Sequence, residues 1–192
     1  MRFMKLKYIP NILSVIRIIM VPLFIYLFFS YYERIYLSLC VYLLAGFTDI
    51  VDGFLARRFN WITNAGKLLD PLADKLMQCS VLVCFMIKGF IPWWLVVLFV
   101  FRELFMICGG IIVLKKIKIT VKSNWYGKGT TAVFYVIAFA VFIFKLFNLN
   151  VSWIINVVLF TLALILALLS MAMYIIDTLH MNAELKKSGK TD

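Results

Sequence analysis

Long apolar segments alternate with short polar segments along this chain, and the alternation predicts the fold. Six stretches approach or exceed the roughly 20 residues that a helix needs to cross a bilayer core. Their approximate bounds are 9–30, 34–60, 64–87, 91–114, 125–147 and 151–179. The second and third reach this length only if the polar residues between them are counted. These polar residues are therefore expected on helix ends, at the boundary between headgroups and hydrocarbon.

The composition agrees with a chain that lies mostly in lipid. Of the 192 residues 65% are hydrophobic, and the mean hydropathy is +1.00, whereas a soluble domain has roughly 45–50% apolar residues. The length predicts one domain over residues 1–192. We therefore expect an all-α integral membrane protein with six transmembrane helices.

The positive charge is unevenly distributed between the predicted loops. The net charge is +11, but most lysines and arginines lie in the N-terminus, the 57–67 turn, the 115–128 loop and the C-terminal tail. The opposite loops hold only Arg34, Lys88 and Lys145. Positive residues mark cytoplasmic loops, so both termini and the 57–67 turn are predicted to be cytoplasmic. This topological interpretation is favoured over nucleic-acid binding, and no nucleic-acid partner is expected.

Four of the nine acidic residues lie near the end of the second segment and the start of the third. Asp49 and Asp52 are three residues apart, and Asp70 and Asp74 are four residues apart. On helices each pair lies on one face. Four carboxylates close together would repel one another, and divalent cations such as Mg²⁺, Mn²⁺ or Ca²⁺, which take oxygen ligands, would relieve that repulsion. The purely structural alternative is a solvated turn in which aspartates cap the helices, but capping needs one such residue, not four.

The residues around these aspartates resemble the signature of a known family, the CDP-alcohol phosphotransferases. The signature has eight fixed positions, and all are present at the expected spacing: Asp49, Asp52, Gly53, Ala56, Arg57, Gly66, Asp70 and Asp74. The flanking segments resemble the phosphatidylglycerophosphate synthase and cardiolipin synthase branches. They are Ile9-Pro10-Asn11-x2-Ser14-x2-Arg17, Arg102-Glu103 and Gly127-Lys128-x-Thr130.

The resemblance implies a reaction and a set of site residues. The phosphatidyl group of CDP-diacylglycerol would pass to an acceptor hydroxyl, and CMP would leave. Two divalent cations, Mg²⁺ or Mn²⁺, would be held by Asp49, Asp52, Asp70 and Asp74, with Asp74 also the candidate general base. The CDP moiety would be bound by Asp52, Gly53, Ala56, Arg57 and Gly66. The small residues among these could instead serve only close helix packing.

Three basic residues are candidates for binding the acceptor: Arg17, Arg102 and Lys128. Charges inside apolar segments are rare and are usually functional or paired. A structural pair between Arg102 and Glu103 is the alternative, although neighbouring helical residues diverge by about 100°, so their side chains need not meet. Lys128 could be one more loop lysine. Asp177 and His180 are assigned no role.

The acceptor is not fixed by these residues. Phosphatidylglycerophosphate synthases usually carry an arginine where this chain has Gly110. Glycerol 3-phosphate is the favoured acceptor, with phosphatidylglycerol, as used by cardiolipin synthases, as the alternative. The resemblance also implies a homodimer in the plasma (inner) membrane of a bacterium, with the active site facing the cytoplasm.

Two other classes of protein fit part of the pattern. A small ion or metal transporter would also have intramembrane carboxylates and a basic cytoplasmic face. The acidic groups are confined to one edge and no internal repeat is visible, which disfavours that class. A structural scaffold protein would bind neither metal nor nucleotide.

Overall fold

The computed structural model describes residues 9–30, 35–59, 66–117, 125–149 and 151–187. Within these ranges the regular elements are six α-helices, and no strand occurs. They are α1 (Ile9–Ser30), α2 (Ile35–Arg58), α3 (Gly66–Ile87), α4 (Trp93–Ile117), α5 (Trp125–Leu146) and α6 (Trp153–Lys187). The predicted all-helical architecture is confirmed. Helix α6 continues beyond the predicted end at Leu179, because the residues that follow include good helix formers such as alanine, glutamate, leucine and lysine.

The ends of two helices are set by residues with positive φ. Gly89 (φ 72°) follows α3, and its N–H donates to the carbonyl of Met86 at 2.9 Å. Asn148 (φ 49°) follows α5, where the N–H of Leu149 donates to the carbonyl of Phe144 and that of Asn148 to the carbonyl of Lys145. This pair of hydrogen bonds is a Schellman motif, in which glycine or asparagine supplies the left-handed residue that stops the helix.

Within the described residues, four helical segments are long and apolar enough to cross a membrane: Asn11–Ser30, Ile35–Leu55, Gly129–Leu146 and Trp153–Leu179. Only 22–39% of the residues in these apolar windows are buried inside the protein. The rest of each helix presents large apolar side chains outward, such as Ile19 and Ile50, which is the surface that lipid covers in an integral membrane protein. Helix α3 does not meet this criterion, and it carries Asp70, Asp74 and Lys75. The prediction of six membrane crossings with cytoplasmic termini stays a prediction.

The chain forms two compact units, and the first comprises residues 1–89 and 141–150. Within its described part α1 is the central helix, packing extensively on both α2 and α3, which touch each other little. The core of this unit is a cluster of aromatic rings from four helices. Phe142 at the end of α5 lies 5.1–6.2 Å, centroid to centroid, from the rings of Phe24, Phe28, Tyr42 and Phe85.

The second unit comprises residues 90–140 and 151–192. Helices α4 and α6 pack together in it. The ring of Phe134 on α5 contacts Phe99 of α4 at 5.8 Å and Phe160 of α6 at 5.9 Å. These ring contacts join α4, α5 and α6 in one apolar core.

Candidate active site

A buried arginine on α1 lies at the centre of the aspartate cluster. The Arg17 side chain is fully buried, and its Nη1 contacts Oδ1 of Asp49 at 2.8 Å and Oδ1 of Asp74 at 2.5 Å. Its Nη2 contacts Oδ2 of Asp52 at 2.5 Å. One guanidinium therefore binds three carboxylates from two different helices.

The spacing of the aspartates explains this convergence. Asp49 and Asp52 are one helical turn apart on α2, and both reach Arg17, which confirms that they share a face. On α3, Asp74 bonds Arg17 and Asp70 accepts a hydrogen bond from Oγ of Ser14. Ser14 and Arg17 are one turn apart on α1, so Asp70 and Asp74 also share a face. Because α1 packs on both α2 and α3, its polar turn lies beside both pairs.

Ser14 is a site residue that the sequence interpretation did not assign. It is fully buried, and the signal that points to it is its spacing. Ser14, Arg17, Phe24 and Phe28 form a single buried stripe along α1. Polar residues occupy the end of the stripe next to the aspartates, and aromatic residues occupy the rest. Because buried polar groups are hydrogen-bonded, a polar residue in this stripe predicts a polar partner on a neighbouring helix.

The three carboxylates that contact Arg17 differ in exposure. The Asp52 side chain is only 3% exposed, whereas that of Asp74 is 23% exposed and that of Asp49 is 37% exposed. The cluster is thus closed at Asp52 and open at Asp49 and Asp74. Asp49 and Asp74 are thus the more accessible of these three carboxylates.

The donor set of this cluster fits a hard divalent cation. Carboxylate oxygens are the ligands that Mg²⁺ and Mn²⁺ prefer, and the one bound guanidinium carries a single positive charge against several carboxylates. Among the described residues, no three acidic, histidine or cysteine side chains already form a metal site. Three of the carboxylates instead direct an oxygen at Arg17.

The remaining signature positions are placed on the same two helices. Gly53 is half-buried and directly follows Asp52, and Gly66 is buried at the first residue of α3. The backbone of Ala56 and Arg57 lies in the last turns of α2, but their side chains lie outside the described part of the structure. The predicted roles of these four residues in CDP binding stay predictions.

Arg102 has a different set of partners. It is 6% exposed, its Nη1 forms an ion pair with Oε1 of Glu103, and its Nε donates to the carbonyl of Ala167 on α6 at 3.3 Å. Although neighbouring helical residues need not meet, the side chains of Arg102 and Glu103 do. Their long side chains bridge the angular separation along the helix, so the structural pair considered from the sequence is present.

Four further residues were singled out in the sequence. The side chains of Lys128 and His180 lie outside the described residues, while Asp177 is exposed on α6. Gly110 is in helix α4, as its predicted span requires. The predicted acceptor-binding role of Lys128, like those of Arg17 and Arg102, stays a prediction.

Comparison with known proteins agrees with the chemistry of this cluster. A family model described as CDP-alcohol phosphatidyltransferase matches residues 7–181, which is most of the chain. This chain belongs to the CDP-alcohol phosphatidyltransferase family. The match includes every member of the aspartate cluster together with Ser14 and Arg17.

Named relatives of this phosphatidyltransferase family fall in two groups. A CDP-diacylglycerol–glycerol-3-phosphate 3-phosphatidyltransferase of Aquifex aeolicus is 36% identical over 168 residues, covering 86% of this chain and 93% of that protein. A probable phosphatidylglycerophosphate synthase of Mycobacterium tuberculosis is 32% identical, covering 67% and 63%. A CMP-forming cardiolipin synthase of Streptomyces coelicolor is 42% identical over 99 residues, covering 50% and 46%. The chain thus spans less than two thirds of the length of the second and third relatives.

Proposed function

We propose that this protein transfers the phosphatidyl group of CDP-diacylglycerol to a hydroxyl of glycerol 3-phosphate and releases CMP. The observation that carries the proposal is the convergence of aspartates from α2 and α3 on one cationic centre, within a chain that belongs to the CDP-alcohol phosphatidyltransferase family. The diphosphate of the donor is negatively charged, so its binding site needs positive charge. Carboxylates can provide that charge by binding divalent cations.

Asp49, Asp52, Asp70 and Asp74 would hold two divalent cations, Mg²⁺ or Mn²⁺. When bound, such cations neutralise charge on the diphosphate and on the leaving CMP. The buried Asp52 would form the closed end of this site, and the more exposed Asp49 and Asp74 would face the substrates. Gly53, Ala56, Arg57 and Gly66 would bind the CDP moiety where α2 ends and α3 begins.

Asp74 is the proposed general base. Its Oδ1 is bonded to Arg17, which leaves the second carboxylate oxygen to take the proton of the acceptor hydroxyl. The hydroxyl oxygen then attacks the β-phosphorus, and the bond from that phosphorus to the oxygen bridging it to CMP breaks. The partial exposure of Asp74 supports this role, since a base must reach the hydroxyl of the acceptor.

Glycerol 3-phosphate is the proposed acceptor because this chain matches a glycerol-3-phosphate enzyme over a larger share of its length than it matches a cardiolipin synthase. The glycerol-3-phosphate enzyme of Aquifex aeolicus is matched over 93% of its length, whereas the cardiolipin synthase of Streptomyces coelicolor is matched over 46%. The contacts of Arg17, Arg102 and Lys128 with the acceptor phosphate each stay a prediction from the sequence. Phosphatidylglycerol stays the second candidate, because Gly110 stands where the resemblance leads one to expect a further arginine.

Product identity tests the acceptor. Purified protein is given CDP-diacylglycerol with glycerol 3-phosphate or with phosphatidylglycerol, and the lipid product is identified by mass spectrometry while CMP is quantified. We expect phosphatidylglycerophosphate from the first acceptor. Cardiolipin from phosphatidylglycerol alone would reverse the assignment. Absence of CMP release with any acceptor alcohol would favour the transporter or scaffold alternatives.

We further propose that all six helices cross the bacterial inner membrane as a homodimer, with both termini and the site on the cytoplasmic side. The distribution of lysine and arginine between loops supports this orientation. In intact cells, a Ser123→Cys variant of a cysteine-free chain is expected to resist a membrane-impermeant thiol reagent. Phe147→Cys, exposed in the loop after α5, is the matched position on the opposite side and should react. The reverse labelling pattern would overturn the orientation.

A further inference from the structure

The Arg17 guanidinium lies between three of the aspartates that would hold a divalent cation. Its Nη1 lies within 2.8 Å of an oxygen of Asp49 and within 2.5 Å of an oxygen of Asp74. Its Nη2 lies 2.5 Å from Asp52, which is almost completely buried. The guanidinium is thus not at the rim of the cluster but between its members.

We propose that Arg17 is a resident counter-ion of the aspartates, which competes with the divalent cation for the oxygens of Asp49, Asp52 and Asp74. This inference rests on the proposed cation site. It changes the role of Arg17 from a contact of the acceptor phosphate to a residue that sets how tightly the cation binds.

The contact geometry favours competition over coexistence. Mg²⁺ binds carboxylate oxygens at about 2.0–2.1 Å. The Oδ1 atoms of Asp49 and Asp74, through which one cation could join the two residues, already contact the same nitrogen of Arg17. A guanidinium and a divalent cation a few Å apart also repel each other. Cation binding through these same oxygens would therefore require Arg17 to give up at least part of its contacts.

The chemistry of arginine suits a counter-ion. Its guanidinium stays protonated even when buried, and its fork of donors can bond several carboxylates at once. Without it, carboxylates on α2 and α3 would repel one another where both helices pack on α1. Arg17 would thus hold the site together while its members are not neutralised by metal ions.

Two roles of Arg17 predict opposite changes in cation affinity. If Arg17 competes with the cation, removing its charge strengthens cation binding. If Arg17 instead positions the carboxylates and stays beside the bound cation, removing it leaves the carboxylates less ordered and weakens binding. A loss of folding alone would likewise lower the affinity, so an increase is specific to competition.

The measurement is Mn²⁺ binding to the purified full-length protein in detergent, without substrates, followed by electron paramagnetic resonance of free Mn²⁺. Arg17→Gln is expected to bind Mn²⁺ about tenfold more tightly than the wild type, because a unit charge next to the site is removed. Its melting temperature in chelator should be lower than that of the wild type, and added Mn²⁺ should raise it by a larger amount.

Arg58→Gln is the matched control, since Arg58 is an exposed arginine on α2. Loss of a screened surface charge should change Mn²⁺ affinity by less than about twofold. Arg17→Lys covers the case in which the glutamine variant does not fold. It keeps the charge but cannot form the same fork of contacts, so its affinity should rise above that of the wild type.

The outcomes separate this inference from the proposed function. If neither the wild type nor the foldable Arg17 variant binds Mn²⁺, the cation site itself is wrong. If the wild type binds Mn²⁺ and Asp52→Asn weakens that binding, the cation site stands. In that case, equal or weaker binding by the foldable Arg17 variant overturns the competition between Arg17 and the cation.

Discussion

Asp52→Asn is expected to abolish phosphatidyl transfer and to destabilise the protein, whereas Asp49→Asn is expected to abolish transfer alone. Both changes remove a charge that the proposed cations need, and loss of such an electrostatic element lowers kcat by about 10²–10³-fold or more. The difference in stability follows from burial. Asp52 is 3% exposed and pairs with the fully buried Arg17, whereas Asp49 is 37% exposed.

The size of the stability effect can be bounded. A buried hydrogen-bonded group that loses its charged partner destabilises a protein by on the order of 1–3 kcal/mol. In the Asp52→Asn variant Arg17 keeps its ion pairs with Asp49 and Asp74, so complete unfolding is not expected. An ion pair that is partly exposed, as at Asp49, contributes only about 0–1 kcal/mol.

The measurements are CMP release and thermal unfolding in detergent for each variant. Asp177→Asn is the matched control, because Asp177 is an exposed aspartate on α6 with no proposed role. It should keep wild-type activity and stability. The same series tests the base: Asp74→Asn should also lose activity by orders of magnitude, and a near-normal rate would exclude Asp74 as the residue that takes the proton.

Removal of divalent cations is expected to stop CMP release completely, and added Mg²⁺ or Mn²⁺ is expected to restore it. The physical reason is charge: one guanidinium bonds three of the four aspartates, which leaves the cluster negative and repulsive to the diphosphate of the donor. Protein purified in EDTA should be inactive with CDP-diacylglycerol and either acceptor.

The control for this experiment is EDTA saturated with Mg²⁺ before it is added, which contains the same chelator but cannot lower the concentration of free Mg²⁺. It should leave CMP release unchanged. Full activity in metal-free buffer with excess chelator would contradict the proposed role of divalent cations, and the aspartates would then need another function.

The helices and the aspartate pairs could be predicted because their signals are local. Apolar runs of membrane-spanning length set the helix bounds to within a few residues at most ends, and the spacing of Asp49 and Asp52 placed both carboxylates on one face. The partners of Arg17 could not be read in the same way. They are 35 residues away at Asp52 and 57 residues away at Asp74, and only the packing of α1 on α2 and α3 brings them together.

Arg102 shows the opposite difficulty. Its partner Glu103 is the next residue in the chain, and the helical angle between neighbours disfavoured the pair. Helical geometry fixes where side chains start, not where long flexible side chains end, and the carbonyl of Ala167 on a distant helix further fixes the guanidinium. A pair of this kind depends on side-chain conformation, which the sequence does not specify.

The ion pairs of Arg17 also impose an order on biogenesis. Ribosomes deliver α1 to the membrane well before Asp74, which follows Arg17 by 57 residues. A newly inserted α1 therefore carries an arginine without these carboxylates, and anionic lipid phosphates at the interface are the available partners. Arrival of α2 and then α3 exchanges lipid phosphate for aspartate. Assembly of the site is thus complete only once α3 has inserted, and a nascent chain that stops before α3 would leave Arg17 without its contact to Asp74.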